Sequence, residues 1–164
     1  MSDFFVSKLG PSPSAEAKNP LSWSSLISAA PEPEGWSVPE AFVAVLLAAV
    51  TCDGDLASVE HEEILALAHR SRALKTLTVA QLSELNVKAL ARLRDESGAL
   101  ADACAALPAE MRASVFAHAL DLVLADGELT IDEADFLNTL ILGLKLDREI
   151  VAKISDVIVL KNQY

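Results

Sequence analysis

Residues 41–65, AFVAVLLAAVTCDGDLASVEHEEIL, return as residues 114–138, SVFAHALDLVLADGELTIDEADFLN, when the chain is slid on itself by 73 positions (126 minus 53). Identical pairs are Ala44/Ala117, Leu47/Leu120, Val50/Val123, Asp53/Asp126, Gly54/Gly127, Leu56/Leu129 and Glu60/Glu133, and Asp55 matches Glu128 in charge. Each copy is an apolar run, then Asp-Gly-acid-Leu, a three-residue gap and a Glu. The first apolar run has a helical period: Phe42, Val45, Leu46, Ala49 and Val50 fall at i, i+3, i+4, i+7 and i+8. Val43 and Leu47 widen that stripe, which marks the helix as central. Self-similarity at a fixed spacing is the mark of a repeated supersecondary unit. Here the unit is a helix–turn–helix, and its duplication predicts a pseudo-symmetric helical body.

Outward from the repeat, the same period continues. A second helix is expected over about 58–72, with Ile64, Leu67 and Ala68 inward. Thr78–Gln81 has capping-box spacing, in which hydroxyl and amide satisfy free N–H groups. It opens a helix that buries Leu82, Leu85, Ala89, Leu90 and Leu93. Residues 97–107 are Ala-rich and helical, and Pro108 suits the first turn of a helix reaching about Ala125. From Thr130 a further helix carries Phe136, Leu137, Leu140, Ile141 and Leu144 on one face. Asp147 can cap the last, whose stripe is Ile150, Val151, Ile154, Val157 and Ile158. Strand-like alternation is sustained nowhere. The expectation is an all-α, single-domain bundle of about seven helices containing the duplicated helix–turn–helix.

Residues 1–37 read differently. They hold Pro11, Pro13, Pro20, Pro31 and Pro33 amid Ser and Ala, the composition of an extended lead-in. Phe4, Phe5 and Leu9 form one apolar set, and Leu21, Trp23, Leu26, Ile27 and Trp36 another. A short helix near 21–30 that folds back on the body is expected, with the tryptophans used for packing. Residues 38–164 form the helical domain.

Composition narrows the function. Hydrophobic residues make up 52% of the chain and aromatics 5%, so Ala, Leu, Val and Ile dominate, as packed helices prefer. The net charge is −11 and the pI about 4.6. That field repels phosphate backbones, which excludes nucleic acid as a partner and favours cations and basic protein surfaces. Net acidity also serves solubility. Cys52 and Cys104 have no CxxC spacing and lie in helical stretches, as small buried hydrophobes do. No basic-then-apolar leader is visible at the start, and the longest apolar run, 41–52, falls short of the roughly 20 residues a bilayer requires. A cytoplasmic location with no membrane insertion is expected.

Two explanations of the repeated turn stand side by side. In the structural one, Gly54 and Gly127 end a helix in the left-handed conformation that Gly tolerates. Leu56 and Leu129 plug the core between the two helices, and Thr130 and Glu133 form a capping box. Ser58 is the cap of the first copy, with His61 as a less regular box partner. In the functional explanation, Asp53 or Asp126 takes position five of a calcium-binding EF-hand loop. Gly then falls at six, Leu at eight, and Glu60 or Glu133 at twelve. Positions one and three are Ala49 and Thr51, or Leu122 and Leu124, so a complete EF-hand is excluded. A partial carboxylate site, in one copy or shared between both, remains open. Glu62, Glu63, Asp132 and Asp135 add negative charge around it.

VTCDGDLASVEHEEIL and VLADGELTIDEADFL, each following an apolar helix, make the chain from about Val38 to its end resemble the tellurite-resistance TerB family and its TerB-like relatives. The Pro/Ser-rich start lies outside the resemblance. The resemblance implies an all-helical bacterial protein with two such halves and a cluster of acidic residues suspected of binding metal cations or docking partners. It further implies a role in tellurite and general stress resistance, beside a membrane protein of the same resistance system. The acidic positions carried over are Asp53, Asp55, Glu60, Asp126, Glu128 and Glu133.

Other constellations are weaker. His61 lacks HExxH spacing, since the residue four on is Leu65. His69 and His118 fall on or near apolar faces, where core or boundary histidines are the rule. No Gly-rich phosphate loop and no GxSxG occur. The expectation is therefore a non-enzymatic, TerB-like stress-resistance protein. Its duplicated acidic turns bind a divalent cation, calcium first, a basic protein partner, or both; a homodimer is compatible with this. The alternative is a metal-free helical adaptor that docks a partner through an apolar groove or its N-terminal arm.

Overall fold

The computed structural model describes residues 35–52, 71, 74–126 and 129–163. Among them are six α-helices, one 3-10 turn and no strand: α1 (Val38–Val50), α2 (Val79–Asp95), α3 (Ala99–Ala106), α4 (Ala109–Val123), the 3-10 turn Leu124–Asp126, α5 (Ile131–Leu144) and α6 (Arg148–Lys161). The expected helices at 21–30 and 58–72 lie outside the described residues.

α1 is the axis of the bundle, in contact with α2, α3 and α4. Eight of its thirteen residues are buried, Ala41 through Leu47 and Ala49, so the wide apolar stripe read from sequence is buried nearly all round. Its start is set by Ser37, whose hydroxyl accepts the Glu40 N–H at 3.4 Å, and Pro39 sits in the first turn, where a missing N–H costs nothing. α4 continues the core with Met111, Val115, Phe116, Ala119, Leu120 and Val123 buried. It in turn carries α5 and α6, and α5 also meets α3. α1 and α4 end at equivalent places, Val50 and Val123, 73 residues apart (123 minus 50).

The capping box expected at Thr78 is present: the Thr78 hydroxyl accepts the Gln81 N–H at 3.2 Å and Gln81 Oε1 accepts the Thr78 N–H at 2.9 Å. Gly98, at φ 85°, turns the chain between α2 and α3 in a conformation that disfavours any side chain. α5 ends on Lys145 in the left-handed region, with Leu146 N–H returned to Ile141 O at 3.2 Å, a Schellman closure. Arg112 ties two further helix ends together, donating from Nε to Leu107 O at 3.0 Å and from its guanidinium to Leu144 O at 3.4 Å.

Two sequence expectations are corrected. Ile150 and Val157 do not join the inward stripe of α6; they are 41% and 65% exposed, and only Val151, Ile154 and Ile158 of that stripe lean on the core. Asp147 stands at the N-cap of α6, but its side chain makes no capping bond. At the other end Trp36 does pack, buried at 5% exposure beneath the Arg92 guanidinium, 3.8 Å from the ring centre. Arg92 also reaches Gly35 O at 3.2 Å and Glu96 at 3.2 Å, which fixes the chain where it enters α1.

Candidate functional site

The second acidic turn is assembled where α4 stops. At Leu124 the backbone tightens into the 3-10 turn that contains Asp126, and α5 begins five residues after it (131 minus 126). Thr130 is the N-cap of α5. Its hydroxyl accepts the Glu133 N–H at 3.3 Å, and Glu133 Oε2 accepts the Thr130 N–H at 2.6 Å and the Thr130 hydroxyl at 2.9 Å. The carboxylate of Glu133 is thus held at the positive end of the α5 dipole, in a residue only 9% exposed. The capping role that the sequence assigns to this pair is present in full.

Of the six predicted acidic ligands, Asp53, Asp55, Glu60 and Glu128 lie outside the described residues, Asp126 is placed by its backbone in the 3-10 turn, and Glu133 is placed with its side chain. Among the described residues no group of three His, Cys, Asp or Glu side chains is arranged to hold a metal ion. The donor set is all carboxylate, which suits a hard cation such as calcium. Glu133 fits a one-oxygen ligand better than a bidentate one, since Oε2 already accepts two short bonds. The leucine expected to plug the core at this turn does not: Leu129, the residue before the N-cap Thr130, is 52% exposed. Its counterpart Leu56, with Gly54 and Gly127, lies outside the described residues.

A second polar cluster, which no sequence spacing announces, lies one turn back on α4. Asp121 receives Lys161 Nζ on both carboxylate oxygens, at 2.5 and 2.6 Å, and Asn162 Nδ2 at 3.0 Å. Partial burial works to raise the Asp121 carboxyl, but the hydrogen bonds from Lys161 and Asn162, together with the charges of Lys161 and His118, outweigh it and hold the group below the ordinary carboxylate value. One turn further back His118 meets the Phe42 ring edge-on, with centroids 5.8 Å apart. Burial pushes its imidazole below the ordinary value, Asp121 opposes that, and Lys161 adds to it. The boundary-histidine reading of His118 holds. Forty residues separate Asp121 from Lys161 (161 minus 121), so no local spacing could have paired them.

Cys104 is buried, and burial pushes its thiol up to about 11 against the pull of Arg112, so it is inert as a nucleophile. Cys52 is half-buried, its thiol directed at Ala49 O, 3.1 Å away. Between α5 and α6 runs an open groove of about 500 Å³ lined by Asn138, Ile141, Leu142, Arg148, Val151 and Ala152.

A bundle centred on one buried helix, with an acid-bearing turn after an apolar helix, is what the TerB resemblance leads one to expect. The family model described as tellurite resistance protein TerB matches residues 39–156. The chain therefore belongs to the TerB family. Searches of curated proteins and of solved structures returned no match. No helix among the described residues is long and apolar enough to cross a membrane.

Proposed function

We propose that this TerB family member is a non-enzymatic, cytoplasmic component of tellurite or general stress resistance, a bundle of about seven helices with an internal helix–turn–helix duplication whose two acidic turns take up a divalent cation. The observation that carries this reading is the fixing of Glu133. It is an acid carried by a nearly buried residue, anchored at a helix N-terminus seven residues after Asp126 (133 minus 126). Asp126 and Glu128 supply further oxygens in the second copy, and Asp53, Asp55 and Glu60 do so in the first. Calcium is the first candidate, because every donor is a carboxylate. A basic surface of a protein partner, such as a membrane protein of the same resistance system, would meet the same charge. Family membership supports the role; the cation and the partner are this reading's own.

The test is a thermal melt of chelator-treated protein titrated with calcium, magnesium, manganese and zinc. Occupancy at 100 times the dissociation constant adds about 2.7 kcal/mol to the native state, a rise of several degrees for a chain of this size. Glu133→Gln is the informative variant, because glutamine also closes a capping box and so keeps the helix start while removing the charge. A saturable rise that disappears in Glu60→Gln and Glu133→Gln supports the cation site. A melt unmoved by all four ions ends this reading and leaves Glu133 as a cap alone.

A second reading is favoured by one observation of its own. The α5–α6 groove has an apolar lip in Leu142, 77% exposed, beside Ile141 and Val151. A metal-free adaptor would dock a partner there, and its partner binding would be indifferent to chelator.

A further inference from the structure

Among the described helices α6 is the least anchored. None of its fourteen residues is buried, and Val157, Val159 and Leu160 are 65%, 48% and 65% exposed. Its inward side rests on Val151, Ile154 and Ile158, each only half-buried. Its main neighbour among the described helices is α4. Where apolar burial is this thin, a helix opens locally before the rest of the fold.

What closes its far end is polar. Lys161 and Asn162, at the last turn of α6, both reach Asp121 on α4. Both lie beyond residues 39–156, which the TerB model matches, whereas Asp121 lies within them. The partners are half open to water, with side-chain exposures of 57% for Lys161 and 31% for Asp121. Salt therefore reaches the pair and weakens it. The other end of α6 supplies Arg148, Val151 and Ala152, one wall of the groove against α5. If α6 leaves, the groove is dismantled and the inward aliphatics meet water.

We propose that α6 is a releasable helix, latched to α4 through Asp121, whose opening precedes unfolding of the body and dismantles the α5–α6 groove. The inference does not depend on the cation reading, since it involves none of the six acidic turn residues.

Hydrogen exchange on the full chain tests it, peptide by peptide. In the wild type, α6 amides should exchange at least about tenfold faster than those of α1, the pattern of sub-global opening. Asp121→Asn and, separately, Lys161→Gln should speed α6 by a further two- to fivefold or so, the size of effect that exposed ion pairs carry, with α1 unchanged. Raising sodium chloride should reproduce that acceleration in the wild type and add nothing in either variant. α6 protected as strongly as α1 would overturn the proposal. So would variants that speed both helices equally, because the contact would then serve global stability and not a latch.

Discussion

α1 and α6 are nearly the same length, thirteen and fourteen residues, and both carry long aliphatic stripes, yet eight residues of the first are buried and none of the second. The difference lies in the number of neighbours each helix has. α1 is surrounded by α2, α3 and α4, so its stripe is covered on several sides at once. Among the described helices α6 leans chiefly on α4, and it leaves Val157 and Leu160 exposed. Removing apolar surface from water is what stabilises a helix in place, at about 25 cal/mol per Å². A stripe on a helix therefore contributes only as much as its neighbours can cover. Hydrophobic content and depth of burial are separate properties.

The sharpest way to break the comparison is to cut a side chain from each helix. Phe42→Ala, which empties a site 2% exposed and removes the ring against His118, should cost about 3–5 kcal/mol and lower the melting temperature accordingly. Should Phe42→Ala melt within a degree of wild type, α1 would not be the axis described. A smaller effect is expected from acid, through the histidine that packs on Phe42 of α1 and feels the charge of Lys161 on α6. The folded state holds His118 below its ordinary 6.5, so the unfolded chain binds the proton first. The stability that the neutral imidazole contributes is complete above pH 6.5 and is lost as the pH falls through the folded value. The wild-type melting temperature should thus fall on acidification from pH 7, and His118→Gln should flatten that slope; an unchanged slope would remove His118 from the account. Asp121 acts in a second window, its contribution complete above 3.8 and lost below it. The smallest effect belongs to Leu160→Ser, which should move stability by no more than about 0.5 kcal/mol, as exposed positions do. A loss of several kcal/mol there would mean that the α6 face is covered in solution.

Much of this fold was legible before any coordinates. Period located α1, α2 and α5, Pro108 and the repeat located α4, and hydroxyl-to-acid or hydroxyl-to-amide spacing marked two helix starts, Thr78 and Thr130, at the right residues. Those features are local, and local physics writes them into adjacent residues. What escaped was non-local. Nothing near Asp121 announces Lys161, and nothing near Trp36 announces Arg92, because each pair meets only after helices have packed. The exposure of Leu129, Ile150 and Val157 was misjudged for the same reason: a stripe says which way a helix would like to face, not whether anything stands opposite. Of the acidic site, the residue types and their order were readable. Only the Thr130–Glu133 pair can be given a geometry among the described side chains, and there its first role is to start a helix.

Where α3 crosses α5, Gly143 lies so close to Cys104 that a β-carbon added to the glycine would stand 3.2 Å from both Cβ and Sγ of the cysteine. The crossing has comfortable room for one side chain, and Cys104 already occupies it. Positions 104 and 143 therefore share a single steric allowance across 39 residues of chain (143 minus 104). A side chain added at 143 obliges Cys104 to give by a few tenths of an ångström, so a change at one position is felt first at the other.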